Sequence, residues 1–75
     1  MSVSETDARL VRMAEQIADN LGGASDPEVT GERAAAHMKR FWTPQMITHL
    51  LQLASAGGIE LSPASRCAVQ ILSED

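Results

Sequence analysis

The chain has a single cysteine, Cys67, and only two aromatic residues, Phe41 and Trp42. One thiol cannot close an internal disulfide, so the fold must stand without a covalent staple, and a reducing, cytoplasmic compartment is expected. Positive charge is also scarce: six Lys and Arg stand against ten Asp and Glu, for a formal charge of −4. A protein that grips nucleic acid uses cations to displace counterions from phosphates, so no nucleic-acid partner is expected. No apolar run approaches the ~20 residues needed to cross a bilayer, so no membrane partner is expected either. The opening stretch from Met1 to Asp7 is polar and acidic, which does not suit a secretory signal.

What is present is helical patterning. With 75 residues the chain holds one domain at most, read here as 1–75 with residues 1–4 and 74–75 expected to lack order. A domain this short buries only ~60% of the surface that its unfolded chain exposes, so a partner is the usual source of extra stability.

Four segments carry the three- and four-residue apolar recurrence of amphipathic helices, and none reads as a strand. The first covers about 5–21, with Leu10, Met13, Ala14, Ile17, Ala18 and Leu21 on one face and Arg9, Arg12, Gln16 and Asp19 on the other. Gly22 and Gly23 are expected to stop it through the left-handed conformation that glycine accepts cheaply. Ser25 or Asp26 followed by Pro27 starts a second helix over 27–42, with Gly31, Ala34, Ala35, Met38, Phe41 and Trp42 sharing a face. Gly31 lowers helix propensity by ~1 kcal/mol relative to alanine, so a start at Thr30 is the alternative.

Thr43 and Pro44 open a third helix over 44–56, which carries Met46, Ile47, Leu50, Leu51, Leu53 and Ala54 and ends at Gly57 and Gly58. Ser62 and Pro63 repeat the device for a fourth helix over 63–73, with Ala64, Cys67, Ala68, Ile71 and Leu72 as its apolar stripe. The predicted fold is all-α, a small bundle of three to four short helices or a two-hairpin array.

Candidate chemistry is thin. No Gly-rich loop follows a strand, no CxxC occurs, and no Ser, His and Asp order suggests a nucleophile, so no catalytic site is expected. His37 and His49 lie on different helices without cysteine or carboxylate at ligand spacing, and a structural zinc site takes four ligands. Both histidines are read as surface or boundary residues, and Cys67 as a small core hydrophobe.

Two features stand out. The run from His37 to Met46 sets both aromatic residues beside the basic pair Lys39 and Arg40 and a helix break. Phe41 is expected in the core at that hinge, while part of Trp42 is a candidate for exposure. The second feature is another absence: no Asp, Glu, Lys or Arg lies between Phe41 and Ile59. The third helix still has a polar face of Gln45, Thr48, His49, Gln52 and Ser55, and interface cores are depleted of charge. His37, Arg40, Trp42, Gln45, His49 and Gln52 are therefore the expected partner-binding residues.

Two segments together resemble a known family. Leu10-Val11-Arg12-Met13-Ala14-Glu15-Gln16-Ile17-Ala18 is similar to the N-terminal helix of the delta subunit of soluble NAD-dependent formate dehydrogenases. His37-Met38-Lys39-Arg40-Phe41-Trp42-Thr43-Pro44-Gln45-Met46 resembles that family's most recognisable stretch, and Leu61-Ser62-Pro63 before an alanine-rich helix also fits. Glu15 stands where the family often has asparagine, and Gln45 where it often has arginine.

The resemblance implies a non-catalytic accessory subunit that binds the large catalytic subunit and supports its assembly, cofactor insertion or stability. In such complexes a molybdenum or tungsten pterin cofactor, iron–sulfur clusters, FMN and NAD serve formate oxidation in other subunits, and none would be bound by this chain. Two alternatives stay open: a transient assembly chaperone, and a small helix-turn-helix DNA-binding regulator, which the charge balance opposes. Self-association of the isolated chain also stays open.

Overall fold

Capping residues and prolines place the helix starts. In the computed structural model, which describes residues 5–22, 26–57 and 59–74, α1 spans Glu5–Gly22, α2 Pro27–Phe41, α3 Pro44–Ala56 and α4 Pro63–Glu74. No strand forms among the described residues. The Asp26 carboxylate accepts from the Glu28 N–H at 2.9 Å, and Thr43 Oγ1 accepts from the Met46 N–H at 3.2 Å. Ser62 Oγ accepts from the Ser65 N–H at 3.3 Å. Each cap satisfies an N–H that has no partner within its helix, and the following proline has no N–H to lose. Ser25, the other candidate cap, lies outside the described residues, as do Gly23, Gly58, residues 1–4 and residue 75. Glu74 is the last residue of α4.

The predicted boundaries hold to within one residue at every helix end, and α2 takes the longer form, with Thr30 and Gly31 inside it. All six pairs of helices touch, which makes the fold a bundle rather than two separate hairpins. The most extensive pairing joins α2 to α4, which are not neighbours in sequence, and α1 packs chiefly on α2. The radius of gyration is 11.3 Å, matching the ~11 Å expected of a packed chain of this length.

Small residues set these distances. A Cβ on Gly31 would collide with Cys67 Cβ and stand 3.0 Å from the Ala64 carbonyl oxygen, so α2 and α4 meet nearly backbone to backbone. Gly31 thus offsets its helix-propensity cost by letting the two helices approach. Gly22 plays a similar part between α1 and α2, since a Cβ there would lie 2.5 Å from Thr30 Cγ2. Only Gly57 among the described residues has the left-handed conformation (φ 76°), where it ends α3 as expected. Gly22 is therefore a contact glycine, and the conformational role expected of it does not apply at that position.

The core is built largely of alanines. Ala14, Ala18, Ala34, Ala35 and Ala68 are buried with Leu10, Met38, Trp42, Leu50 and Leu72. Alanine allows close packing but removes little apolar area from water, so the core is thin for its helix count. The α4 stripe turns slightly from its expected orientation: Ser65, Ala68 and Leu72 are buried, while Ala64, Cys67 and Ile71 are half-buried. Cys67 lines the α2–α4 crossing rather than the core interior.

Candidate functional site

The two aromatic residues exchange their expected places. Phe41 is 68% exposed and Trp42 only 8% exposed. The reason lies in the end of α2. Trp42 has left the helix, with φ −87° and ψ 150°, and its N–H still donates to the Met38 carbonyl at 2.8 Å. That extended turn swings the indole into the core cluster that also holds Met38 and Leu50, a direction that a continuous helical wheel does not describe. Phe41, still helical, is left on the outside. Its ring packs on the His37 imidazole, with centroids 4.7 Å apart, and the Arg40 guanidinium carbon lies 6.0 Å from its centroid.

Of the six expected partner-binding residues, His37 and Arg40 therefore gather around Phe41, whereas Trp42 is a core residue. Gln45 and His49 line a groove of about 310 Å³ between α1 and α3, with Arg9, Leu10, Met13 and Met46. Gln52 is exposed further along α3. His49 is not a lone surface histidine: its Nε2 lies 2.6 Å from Asp7 Oδ1, tying α3 to the first turn of α1.

α3 stands apart from the other helices. Leu50 is its only fully buried residue, and Met46, Ile47, Leu51, Leu53 and Ala54 are half-buried. Gln45, Thr48, Gln52 and Ser55 are exposed, so the outer face carries no charge. On its other flank a second groove of about 430 Å³ runs between α3, Trp42 and Leu72, lined by Lys39, Ile47, Thr48 and Leu51. Two grooves thus border one uncharged helix whose apolar residues the rest of the chain covers only in part.

A polar cluster that the sequence did not announce joins α1 to the start of α4. The Glu15 carboxylate accepts from Ser62 Oγ at 3.0 Å, from the Ser62 N–H at 3.3 Å and from the Ser65 hydroxyl. Glu15 is on α1 and Ser65, 1% exposed, is on α4. A carboxylate at the start of a helix is favoured by the helix dipole and by the unpaired N–H groups there. The cluster is satisfied by its own members, which suits an internal clamp better than a ligand site. No signal in the sequence joins residues 15 and 62.

Among the described residues no three His, Cys, Asp or Glu side chains converge as a metal site. Iron–sulfur clusters are held by several thiolates, and the chain offers one. That donor set does not fit an iron–sulfur cluster. None of the helices, over the described residues, is long and apolar enough to cross a membrane.

Fold and site together define a small all-helical protein whose polar clusters hold its own helices and whose least covered helix is uncharged on the outside. The chain belongs to the NADH-dependent formate dehydrogenase delta subunit family, FdsD, whose profile matches residues 9–69. That span contains both the Glu15–Ser62–Ser65 cluster and the whole of α3. No curated protein and no solved structure matches the chain.

Proposed function

We propose that this chain is a non-catalytic accessory subunit that docks on the large catalytic subunit of an NADH-dependent formate dehydrogenase through the outer face of α3. In that role it supports assembly, cofactor insertion or stability of the enzyme. The molybdenum or tungsten pterin, the iron–sulfur clusters and FMN then reside in the other subunits. The observation that carries the proposal is α3 itself, with one buried residue, five half-buried apolar ones and no charge on its exposed face. Charged side chains resist desolvation and are depleted from interface cores, so this is the helix that a protein partner can cover at least cost. The alanine-rich core adds a motive, because a thin core gains stability from a bound partner. The same uncharged face offers nothing to a phosphate backbone, which disfavours the helix-turn-helix alternative.

The test is to purify the active enzyme and determine by quantitative mass spectrometry whether this chain is present in stoichiometric amount. A resident subunit stays at a fixed ratio, whereas a transient chaperone is absent from active enzyme and enriched on cofactor-free catalytic subunit. Gln52→Glu should weaken binding to catalytic subunit prepared without this chain while leaving helix content unchanged. Unchanged affinity would remove the α3 face from the proposal.

A further inference from the structure

Phe41 is unusual for where it sits. It is the larger of the two sizeable hydrophobic residues left exposed among the described residues, the other being Val29. His37 and Arg40 flank it, although the chain as a whole carries a formal charge of −4. The His37 ring rests on one side and the Arg40 guanidinium approaches at 6.0 Å, while Lys39, in the same last turn of α2, lines the groove beside Trp42. Basic residues at a helix C-terminus offset the helix dipole, and residues four apart on a helix pack readily. Those effects account for Lys39, Arg40 and the His37–Phe41 contact, but they do not require an aromatic ring in water. Exposed aromatic and arginine side chains are enriched where proteins bind proteins, and arginine matches a carboxylate through paired hydrogen bonds.

We infer that the C-terminal end of α2 receives an acidic segment of a protein partner, with an apolar side chain over Phe41 and a carboxylate on Arg40. Charge complementarity selects this occupant: a basic, aromatic-centred patch on an acidic protein attracts carboxylates and repels a second copy's basic patch. The inference rests on the reading of this chain as a docking subunit and adds to it a second contact, separate from the α3 face, with stated chemistry.

The experiment measures binding of the full-length chain to purified formate dehydrogenase prepared without it, at roughly 50 mM and 500 mM salt. Phe41→Ser should weaken binding by about tenfold or more, as expected of a hot-spot aromatic. Arg40→Glu should weaken it more than Arg40→Gln at low salt, and the gap should close at high salt, because only the reversed charge repels a carboxylate. Circular dichroism should show the same helix content in all three variants. Wild-type affinity in Phe41→Ser would overturn the inference, and so would equal losses in Arg40→Glu and Arg40→Gln. If Gln52→Glu weakens binding while Phe41→Ser does not, the docking role stands and the α2 contact alone fails. If the wild-type chain does not bind, both fall.

Discussion

The Glu15 carboxylate on α1 caps the start of α4 by accepting from both the hydroxyl and the backbone N–H of Ser62, 47 residues away. The same carboxylate accepts from the buried hydroxyl of Ser65, so one side chain satisfies the first turn of α4 and fastens it to α1. Glu15→Ala should leave the Ser65 hydroxyl without its acceptor in a buried place and cost about 1–3 kcal/mol. Glu15→Gln keeps an acceptor oxygen and should cost less. Urea unfolding followed by far-ultraviolet circular dichroism reads both, and equal stability of Glu15→Ala and wild type would show that the clamp contributes nothing.

The two contact glycines should respond differently to repair. Gly31→Ala gains ~1 kcal/mol of helix propensity. Its new Cβ nevertheless meets Cys67 Cβ and, at 3.0 Å, the backbone of Ala64 and Ala68. Forcing α2 from α4 should give a net loss of about 1–3 kcal/mol. Cys67→Ala should not restore it, since the Cβ is the atom in the way. Gly22→Ala meets the Thr30 side chain instead, at 2.5 and 2.6 Å. Adding Thr30→Ala removes both of those atoms and should recover part of the loss. Thermal melts of the single and double variants measure the coupling.

These contacts also show what the sequence could reveal. Asp26-Pro27, Thr43-Pro44 and Ser62-Pro63 each join a cap to a proline, and such local chemistry fixes a helix start without reference to the rest of the fold. Gly57 could be read for the same reason. Gly22 could not, because its requirement comes from Thr30 on another helix, and the Glu15–Ser62 clamp is a tertiary contact with no local signature. Ser65 carries no local mark either, since a hydroxyl on an otherwise apolar face looks like a boundary residue until its acceptor is known. The uncharged stretch of α3 was visible as composition, but the scant burial of its apolar residues depends on how α1, α2 and α4 pack.

The exchanged aromatics allow a direct contrast. Trp42→Ala removes the largest side chain among the buried hydrophobics and should cost about 3–5 kcal/mol. That is a large share of the roughly 5–10 kcal/mol such a domain can have. Phe41→Ala should change stability by no more than about 0.5 kcal/mol. Because Trp42 is the only tryptophan, its fluorescence reports the core directly. Emission should be blue-shifted and protected from acrylamide in the wild type and in Phe41→Ala.

His49 and Gln52 both belong to the polar face of α3, yet they should separate stability from docking. His49 is bonded to Asp7 at 2.6 Å, so His49→Asp sets two carboxylates against each other across the α1–α3 contact. Both groups are partly in solvent, with side-chain exposures of 38% and 23%, so screening holds the loss to about 0.5–1 kcal/mol and added salt should shrink it. Gln52 is exposed, and Gln52→Glu should alter stability by no more than about 0.5 kcal/mol. If α3 is the docking face, Gln52→Glu nonetheless loses affinity for the catalytic subunit, because the new charge must be desolvated in the interface. A variant that binds poorly while melting normally therefore tests the face itself, whereas weak binding by His49→Asp also reflects a loosened α3. Denaturation midpoints and affinities measured on the same preparations distinguish the two effects, and full binding by Gln52→Glu would move the docking face away from α3.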